Sequence, residues 1–385
     1  MMFPRSTFLI LLVLSFYVLG VQSTYYLPIK GPAKYEQWLP LLTRRTLQKT
    51  SERTCNATLA LYKTQWEHSG DRLDKTCQAH MECILNSMSE NAKAYMSSSS
   101  LLLGLSPVLL STLGPSISEI GLLSLNRPVL AVMLSLGTVA IYPSRALAYN
   151  ADSCHEILDA RTILPVSVFN ALNRRPGLAF LVSAAEYIII AFAVFNVFYT
   201  SWQLGVATVL NFICQSSFMP IIWTSLPLLI HLPAALAFRF NLTRAAPTRT
   251  PGPGSWIWNW NLLHSRLTSE TKLSMNHKPI PSSMFTASPT VLACHWIATL
   301  FGFVHVIFGI LIYSSLLFTM TTDAAVILLR YFASALACRF VLIFELAGVK
   351  WARGGGVKNN CDGRTVSGGA AMTPETEYVH LREIE

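Results

Sequence analysis

The sequence predicts an all-α fold, a polytopic helical membrane protein with a small helical head before its bundle. Of the 385 residues, 52% are hydrophobic and only 13% are charged, whereas soluble proteins carry about 25% charged residues. The mean hydropathy is +0.43, and several charge-free runs reach the ~20 residues that a helix needs to cross the hydrocarbon core. The net charge of +9 comes from loops between these runs, which favours membrane orientation over nucleic-acid binding.

A secretory signal peptide is predicted at residues 1–23. Arg5 precedes an apolar run from Phe8 to Leu19, and Val21–Ser23 has the small-x-small form of a cleavage site. The apolar run is too short to span a bilayer comfortably, which disfavours the alternative of an uncleaved anchor. The segment that follows is therefore expected to be exported.

Residues 24–97 are predicted to form a polar lumenal head built on a helical hairpin. Two apolar stripes at helical spacing predict the two arms, and Asp71 is placed to cap the second arm. Asn56 begins a glycosylation sequon, Asn-Ala-Thr, which an exported segment can use. The stripes consist of Cys55, Leu59, Tyr62 and Trp66 in the first arm and Leu73, Cys77, Met81, Ile84 and Met88 in the second.

The head contains three cysteines, so at most one disulfide can form within it and one thiol is left over. The apolar faces pair Cys55 with Cys77, whereas counting outward from a turn at Ser69 brings Cys55 level with Cys83. We prefer the first pairing, and the second stays open. A zinc site at Cys77, His80 and Cys83 is disfavoured, because zinc takes four ligands and an oxidising lumen favours disulfides.

A transmembrane bundle is predicted over residues 98–347, followed by a flexible cytosolic tail at 348–385. Four runs are long enough to be strong spans, and three weaker stretches leave the total at five, six or seven. The strong spans are 177–200, 217–238, 291–318 and 324–347, and the weaker stretches are 98–115, 128–143 and 202–216.

Basic residues predict which loops are cytosolic. Loop 239–289 contains six Arg or Lys residues against one acid, Glu270, so it belongs in the cytosol. With the head outside, an odd number of crossings must precede this loop, which excludes six spans. Loop 145–176 is also basic and favours five, in which case one weak stretch between 98 and 144 re-enters the membrane or lies at its surface. Seven spans stay open.

Part of this weak membrane segment resembles a known group of proteins. The segments Leu113-Gly-Pro-Ser-Ile-Ser-Glu-Ile120, Leu122–Pro128, Leu136-Gly137 and Tyr142–Arg145 are similar to uncharacterised multi-spanning membrane proteins of filamentous fungi. The resemblance covers little beyond these residues and the general layout. It implies membranes of the secretory pathway, and it implies no activity.

Ionisable side chains inside predicted spans are costly, so they are the first candidates for function. Glu186 and Arg339 lie at similar depths, roughly 12–14 Å from the cytosolic ends of their spans at 1.5 Å per residue. We predict an ion pair between them, for which a helix clamp is the simpler role and a proton or solute path the other. His305, near the middle of its span, is the third intramembrane polar candidate.

The remaining motifs say little about chemistry. Tyr378 and Leu381 in the tail match a Tyr-x-x-hydrophobic sorting signal, a pattern that commonly arises by chance. The sequence contains no nucleotide-binding glycine loop, no His-x-x-x-His or Cys-x-x-Cys pair and no Gly-x-Ser-x-Gly elbow. An enzyme therefore has little support, and we expect no cofactor and no metal.

The expected function is that of a non-enzymatic multi-pass protein of the secretory pathway, with the plasma membrane as one destination. It would contact the lipid bilayer and bind protein partners, but no nucleic acid, through its head and cytosolic loops. Two alternatives stay open. A small-solute transporter or channel would use the intramembrane polar residues, and a seven-span receptor would fit the layout of head, basic loop and tail.

Overall fold

The computed structural model describes residues 33–68, 73–142, 157, 164–245, 270–277 and 289–354. These residues are mostly helical, which confirms the all-α prediction. Within them, four helices are long and apolar enough to cross a membrane, namely Glu90–Leu113, Pro176–Ala207, Ala293–Ser314 and Thr321–Gly354. Three of these coincide with predicted strong spans, and the first covers the weaker predicted stretch 98–115. The predicted strong span 217–238 corresponds instead to a shorter apolar helix, Met219–Pro233. The predicted signal peptide at 1–23 lies outside the described residues.

The head, as described here, comprises residues 33–68 and 73–89. It contains three α-helices and a short π-helix that continues the first of them. These are α1 (Leu42–Lys49), the π-helix (Thr50–Thr54), α2 (Asn56–His68) and α3 (Leu73–Ser87). Helices α2 and α3 correspond to the two arms that the apolar stripes predict.

The bundle contains eight α-helices and one two-stranded sheet among the described residues. The helices are α4 (Glu90–Leu113), α5 (Ile117–Asn126), α6 (Pro128–Gly137), α7 (Val166–Arg174), α8 (Pro176–Ala207), α9 (Met219–Ala245), α10 (Pro289–Ser314) and α11 (Thr321–Gly354). Strand β1 (Val209–Leu210) follows α8, and β2 (Leu316–Leu317) follows α10. The strands pair antiparallel and so join the α8–α9 connection to the α10–α11 connection.

The predicted stripes form the core of the head. Leu59 and Tyr62 of α2 are buried in one hydrophobic cluster with Met81 and Ile84 of α3. His80 lies beside this cluster and is fully buried, and burial lowers its pKa to about 4. The ring is therefore neutral at neutral pH.

The disulfides differ from the preferred pairing. The structure joins Cys55 to Cys83 and Cys77 to Cys214, so the Cys55–Cys77 preference is wrong and the pairing counted from the turn is the one found. Cys214 lies in the α8–α9 connection, 137 residues beyond its partner. The head is therefore covalently tied to the bundle, and the partner of Cys77 lies outside the head, where the sequence does not predict it.

Polar contacts also fix the head to the bundle. We call the end of the bundle that the head contacts the head end. The Lys34 ammonium donates to the carbonyl oxygens of Gly205 and Thr208, the latter at 2.9 Å. These carbonyls lie at the C-terminus of α8, where the helix dipole favours a cation. Burial nevertheless lowers the pKa of Lys34 to about 7.

An acid at the start of α11 makes the complementary contact. The Asp323 carboxylate accepts hydrogen bonds from the backbone N–H groups of Leu41 and Thr43, both at 3.1 Å, and from the Thr43 hydroxyl at 2.7 Å. Asp323 also lies in the first turn of its helix, where the dipole favours a negative charge. The first described segment of the head is thus held by both α8 and α11.

Helices α5 and α6 form a short antiparallel hairpin. A Cβ at Gly114, just after α4, would lie 2.4 Å from the carbonyl oxygen of Ala140, so only glycine allows this approach. The N–H of Tyr142 donates to the carbonyl oxygen of Pro115 at 3.1 Å. The chain just before α5 therefore lies next to the chain just after α6, and the hairpin turns at Arg127.

The hairpin lies in the half of the bundle that is away from the head. We call the outer end of this half the far end. Gly137, at the end of α6, lies against Ala193 and Cys338, which are near the middles of α8 and α11. Helices α4 and α5 together run from the head end toward the far end, with a break at 114–116. Helix α6 then returns only to the middle, and a large apolar cluster packs it between α5, α8 and α11.

Candidate functional site

The turn of the hairpin holds a charge cluster of Arg127, Glu186 and Glu345. Nη1 of Arg127 lies 2.5 Å from Oε2 of Glu186 and 2.7 Å from Oε1 of Glu345. Its Nη2 donates to the hydroxyl of Ser183 at 2.7 Å. The three charged residues are 0%, 4% and 1% exposed, so the cluster is desolvated almost completely.

Local sequence explains how Arg127 reaches this position. It precedes Pro128, which favours an extended backbone and ends a helix, and its φ and ψ are −133° and 76°. The N–H of Arg127 still donates to Leu123 in α5, and its carbonyl accepts from Ala131 in α6. The residue therefore closes one helix and opens the next, and its side chain extends to α8 and α11.

A short segment of the loop between α9 and α10 covers the cluster. Glu270 accepts from the N–H of Val129 at 2.9 Å and from the Tyr187 hydroxyl at 2.7 Å. The N–H of Ser274 donates to Glu345 at 3.2 Å, and its hydroxyl donates to the same oxygen. Residues 270–277 thus link the N-terminus of α6 to α8 and α11.

The charges in the cluster do not balance. One guanidinium faces two buried carboxyl groups, and both of them contact the same Nη1 atom. Among the described residues, Oε1 of Glu186 and Nε of Arg127 have no hydrogen-bond partner. A buried uncompensated charge is very costly, and a single guanidinium is too little to offset two ionised carboxyl groups.

The predicted ion pair between Glu186 and Arg339 is wrong. Glu186 pairs with Arg127, and Arg339 pairs with Glu119 of α5 at 2.7 Å. The depth argument took no account of rotation about the helix. Arg339 and Glu345 are six residues apart, which is about 120° around an α-helix, so only Glu345 faces α8.

Glu119 has a second role that its sequence position explains. Its carboxylate accepts from the N–H of Ser116 at 2.7 Å, and the Ser116 hydroxyl accepts from the N–H of Glu119. This capping box starts α5 immediately after the break. The pair with Arg339 is partly exposed, at 31% and 14% of the two side chains, and is much less desolvated than the cluster at Arg127.

His305 forms a reciprocal contact with Trp223 instead of joining the cluster. Its Nε2 lies 3.0 Å from the carbonyl oxygen of Trp223, and the indole N–H donates to the carbonyl oxygen of His305 at 3.0 Å. The two rings stack with centroids 5.0 Å apart. These contacts pin α9 to α10, which is the structural role that a lone histidine in a bundle commonly has.

Sequence reasoning missed Arg127 and Glu345 as functional candidates. Arg127 is the only basic residue between positions 98 and 144, and that isolation within an apolar stretch is a signal. Arg127 lies between the two weak stretches, 98–115 and 128–143. Glu345 lies near the end of the last predicted span, where a charged side chain is expected to reach the membrane surface.

The other predicted sites have no contact with the cluster. Asn56 is exposed at the first residue of α2, and Tyr378 and Leu381 lie outside the described residues. Within the part of the chain that the structure describes, no group of three His, Cys, Asp or Glu side chains is arranged to hold a metal ion.

Comparisons of the chain with protein-family models, with curated proteins and with solved structures found no match. The resemblance of residues 113–145 to fungal membrane proteins therefore stays an expectation.

Proposed function

We propose that the protein is a small-solute transporter of secretory-pathway membranes that takes up and releases a proton at the cluster of Arg127, Glu186 and Glu345. One observation carries this proposal: two buried carboxyl groups share a single Nη1 atom of a single arginine. A buried site whose positive and negative charges do not balance can couple the binding of a proton to a change of conformation. Intramembrane ionisable residues commonly mark such relays.

The arrangement of the helices supports the same function. Helices α4 and α5 form a crossing that is broken at 114–116, and α6 returns over half the depth. Broken and half-length helices are tolerated inside membranes where protein or a cavity satisfies the backbone, and transporters use them at their binding sites. Arg127 lies at the tip of this hairpin, so a change in its charge partners would act directly on α5 and α6.

Five crossings fit the proposal best, namely α4 with α5, then α8, α9, α10 and α11, with α6 re-entering. Seven crossings would need three helices within residues 177–238, whereas α8 and α9 are the two found there and 208–218 is β1 and irregular chain. The head would then be lumenal and loop 239–289 cytosolic, as the positive-inside rule favours. The exposed Asn56 would carry a glycan.

The substitution Ala160→Asn tests this topology, because it completes a sequon with Thr162 in loop 145–176. Five crossings place this loop in the cytosol, so we expect no additional endoglycosidase-sensitive glycan while Asn56 is modified. A second glycan would contradict five crossings and favour the seven-span receptor.

Transport is tested with the full-length protein in liposomes that contain a pH-sensitive dye. An inward proton gradient is imposed, and pools of amino acids, sugars, organic acids and inorganic cations are added outside one at a time. We expect one pool to accelerate proton entry. The acceleration should be lost in Glu186→Gln. It should be kept in the control Glu119→Gln, which removes a carboxylate from the partly exposed ion pair with Arg339.

Infrared difference spectroscopy tests the proton itself. A protonated buried carboxyl group has a C=O stretch that shifts in D₂O, and this band should disappear in the double variant Glu186→Gln, Glu345→Gln. If the band is unchanged in that variant and no pool accelerates proton entry, the transporter proposal fails.

A partner-binding membrane component is the second candidate. One observation favours it: the cluster ties α6, α8, α11 and residues 270–277 together, as a structural clamp would. In that case the head and the cytosolic loops carry the function. If the cluster is only a structural clamp, Glu186→Gln should lower the stability of the protein without any change in proton flux.

A further inference from the structure

A cavity lies on the opposite side of the hairpin from the charge cluster, between α5–α6 and α9. Its volume is about 140 Å³, and its walls are mostly apolar. Ala131 and Ser135 of α6 form one wall, and His231 and Ala235 of α9 form the other. The hydroxyl groups of Ser124 and Ser135 already donate to the carbonyl oxygens of Gly121 and Ala131, so His231 is the polar lining residue whose side chain has no hydrogen bond among the described residues.

His231 is buried without a partner. It is 2% exposed, and neither of its ring nitrogens has a hydrogen-bond partner among the described residues. A neutral imidazole presents one N–H donor and one lone-pair acceptor. Both nitrogens expose less than 1 Å², so the ring must turn slightly to meet a hydroxyl group in the cavity. Leaving such groups unpaired in an apolar environment is costly, and this hydrogen bond would remove that cost.

The cavity opens on the apolar outer surface of the bundle. Val132 and Leu232 line it and are 39% and 47% exposed. In a membrane these side chains face lipid, so an occupant reaches the cavity from the bilayer and need not pass through water. The volume is close to the ~150 Å³ of an apolar protein cavity that holds benzene.

We propose that this cavity binds a membrane-soluble molecule that presents one ring-sized apolar group with a single hydroxyl, hydrogen-bonded to His231. A hydroxyl group both donates and accepts, and it therefore suits either tautomer of the ring. The same chemistry is found in a free phenol and in the hydroxyl-bearing ring of a sterol. This inference goes beyond the proposed transport, because binding here needs neither Glu186 nor Glu345.

The probes are 4-fluorophenol and fluorobenzene, which match the cavity in size and differ only in the hydroxyl group. Fluorine NMR of each probe measures binding to the full-length protein in sterol-free phosphatidylcholine nanodiscs. We expect saturable binding of both, with 4-fluorophenol tighter by roughly fivefold, as one net hydrogen bond provides. Equal affinity for the two probes would overturn the role of His231.

Two variants and a matched control locate the site. His231→Leu should abolish the preference for 4-fluorophenol and keep the binding of fluorobenzene. Ala235→Phe should fill the cavity and abolish saturable binding of both probes. Ala191→Phe makes the same change at an exposed position of α8 and should bind as the wild type does. Saturable binding that survives in Ala235→Phe would place the probes elsewhere and overturn the proposal, even if His231→Leu does not fold.

Sterol in the nanodisc distinguishes the two sources of the hydroxyl group. If a sterol is the natural occupant, adding it to the disc should displace 4-fluorophenol from the wild type in a saturable manner. Retention of the probe in sterol-containing discs would assign the cavity to a free small molecule of the phenol class. Ala235→Phe, which binds neither probe, supplies the baseline for both arms.

Discussion

The two ends of the bundle handle buried charge in different ways. At the head end, Lys34 is bonded to backbone carbonyl oxygens of α8, and Asp323 is bonded to backbone and hydroxyl groups of the head. At the far end, Arg127 is bonded to two carboxyl groups of other helices. The partners of each charge at the head end are uncharged, whereas the partners of Arg127 at the far end are themselves ionisable.

Under the proposed function, this difference separates a fixed region from one that changes conformation. Backbone partners and the Cys77–Cys214 bridge hold the head against the bundle. The cluster at the far end has unpaired atoms on Arg127 and Glu186, so its hydrogen bonds are incomplete in this arrangement. Conformational change is therefore expected at the hairpin.

The largest expected effect follows from removing the cation of the cluster. Arg127→Met leaves two buried carboxyl groups without a counter-ion, and breaking a buried ion pair in this way costs about 3–5 kcal/mol. We expect much lower abundance of a fluorescently tagged protein and a lower unfolding temperature in detergent. The triple variant that adds Glu186→Gln and Glu345→Gln should recover most of the loss, because the three groups of the cluster are then all uncharged.

Arg339→Met is the matched control for this prediction. Its pair with Glu119 is partly exposed, and exposed ion pairs contribute at most about 1 kcal/mol. If Arg339→Met were as harmful as Arg127→Met, desolvation would not distinguish the two pairs, and the contrast between the ends of the bundle would be weaker.

The next largest effect concerns the covalent link at the head end. Removing the Cys77–Cys214 bridge with Cys77→Ala and Cys214→Ala should cost about 2–4 kcal/mol, because the bridge closes a loop of more than one hundred residues. Hydrogen exchange of α1 to α3 should increase, while exchange around Arg127 stays unchanged. The control removes the Cys55–Cys83 bridge, whose separation is 28 residues, and should leave the head attached to the bundle. Equal exchange in both double variants would contradict a specific role for the long bridge.

The parts of the fold that depend on local sequence could be predicted. Apolar runs identified α8, α9, α10 and α11, since the length and hydropathy of a run are local properties. The apolar stripes of the head identified α2 and α3 for the same reason. The weak stretch between 98 and 144 allowed a re-entrant segment, and Gly114 with Pro115 breaks the chain within it.

The parts that depend on distant pairing could not be predicted. Arg127 is 59 residues from Glu186 and 218 from Glu345, and nothing in a single sequence states which helix faces meet. Equal depth suggested Arg339 for Glu186, but depth does not fix rotation about a helix axis. The partner of Cys77 was missed because it lies in a connection of the bundle, far from the head in sequence.

A dependence of stability on pH is expected within the head itself, because His80 is buried there. Burial lowers the pKa of His80 from its usual 6.5 to about 4, and the neutral ring is bonded to Ser51 and Thr58 at 2.9 and 2.8 Å. The unfolded head binds a proton below pH 6.5 and the folded head does not. Stability is therefore expected to fall between pH 6.5 and 4, by no more than about 3 kcal/mol.

Hydrogen exchange of α3, corrected for the intrinsic effect of pH, measures this loss. His80→Gln, which keeps hydrogen-bonding capacity and does not titrate in this range, should remove the pH dependence. An unchanged slope in His80→Gln would show that another group in the head titrates.

The smallest of these effects comes from Asp323, whose carboxylate joins the head to α11. Asp323→Asn keeps the shape but loses charge-assisted hydrogen bonds to the first segment of the head, at a cost of about 1.5 kcal/mol. Hydrogen exchange at residues 41–43 should rise accordingly. Glu90→Gln is the control, because it also removes an acid from the first turn of a helix while its own partner, Lys93, is at the surface. If both substitutions had the same effect, the helix dipole alone would explain Asp323. The backbone contacts would then not be what holds the head, and the Cys77–Cys214 bridge and Lys34 would be left to fix it.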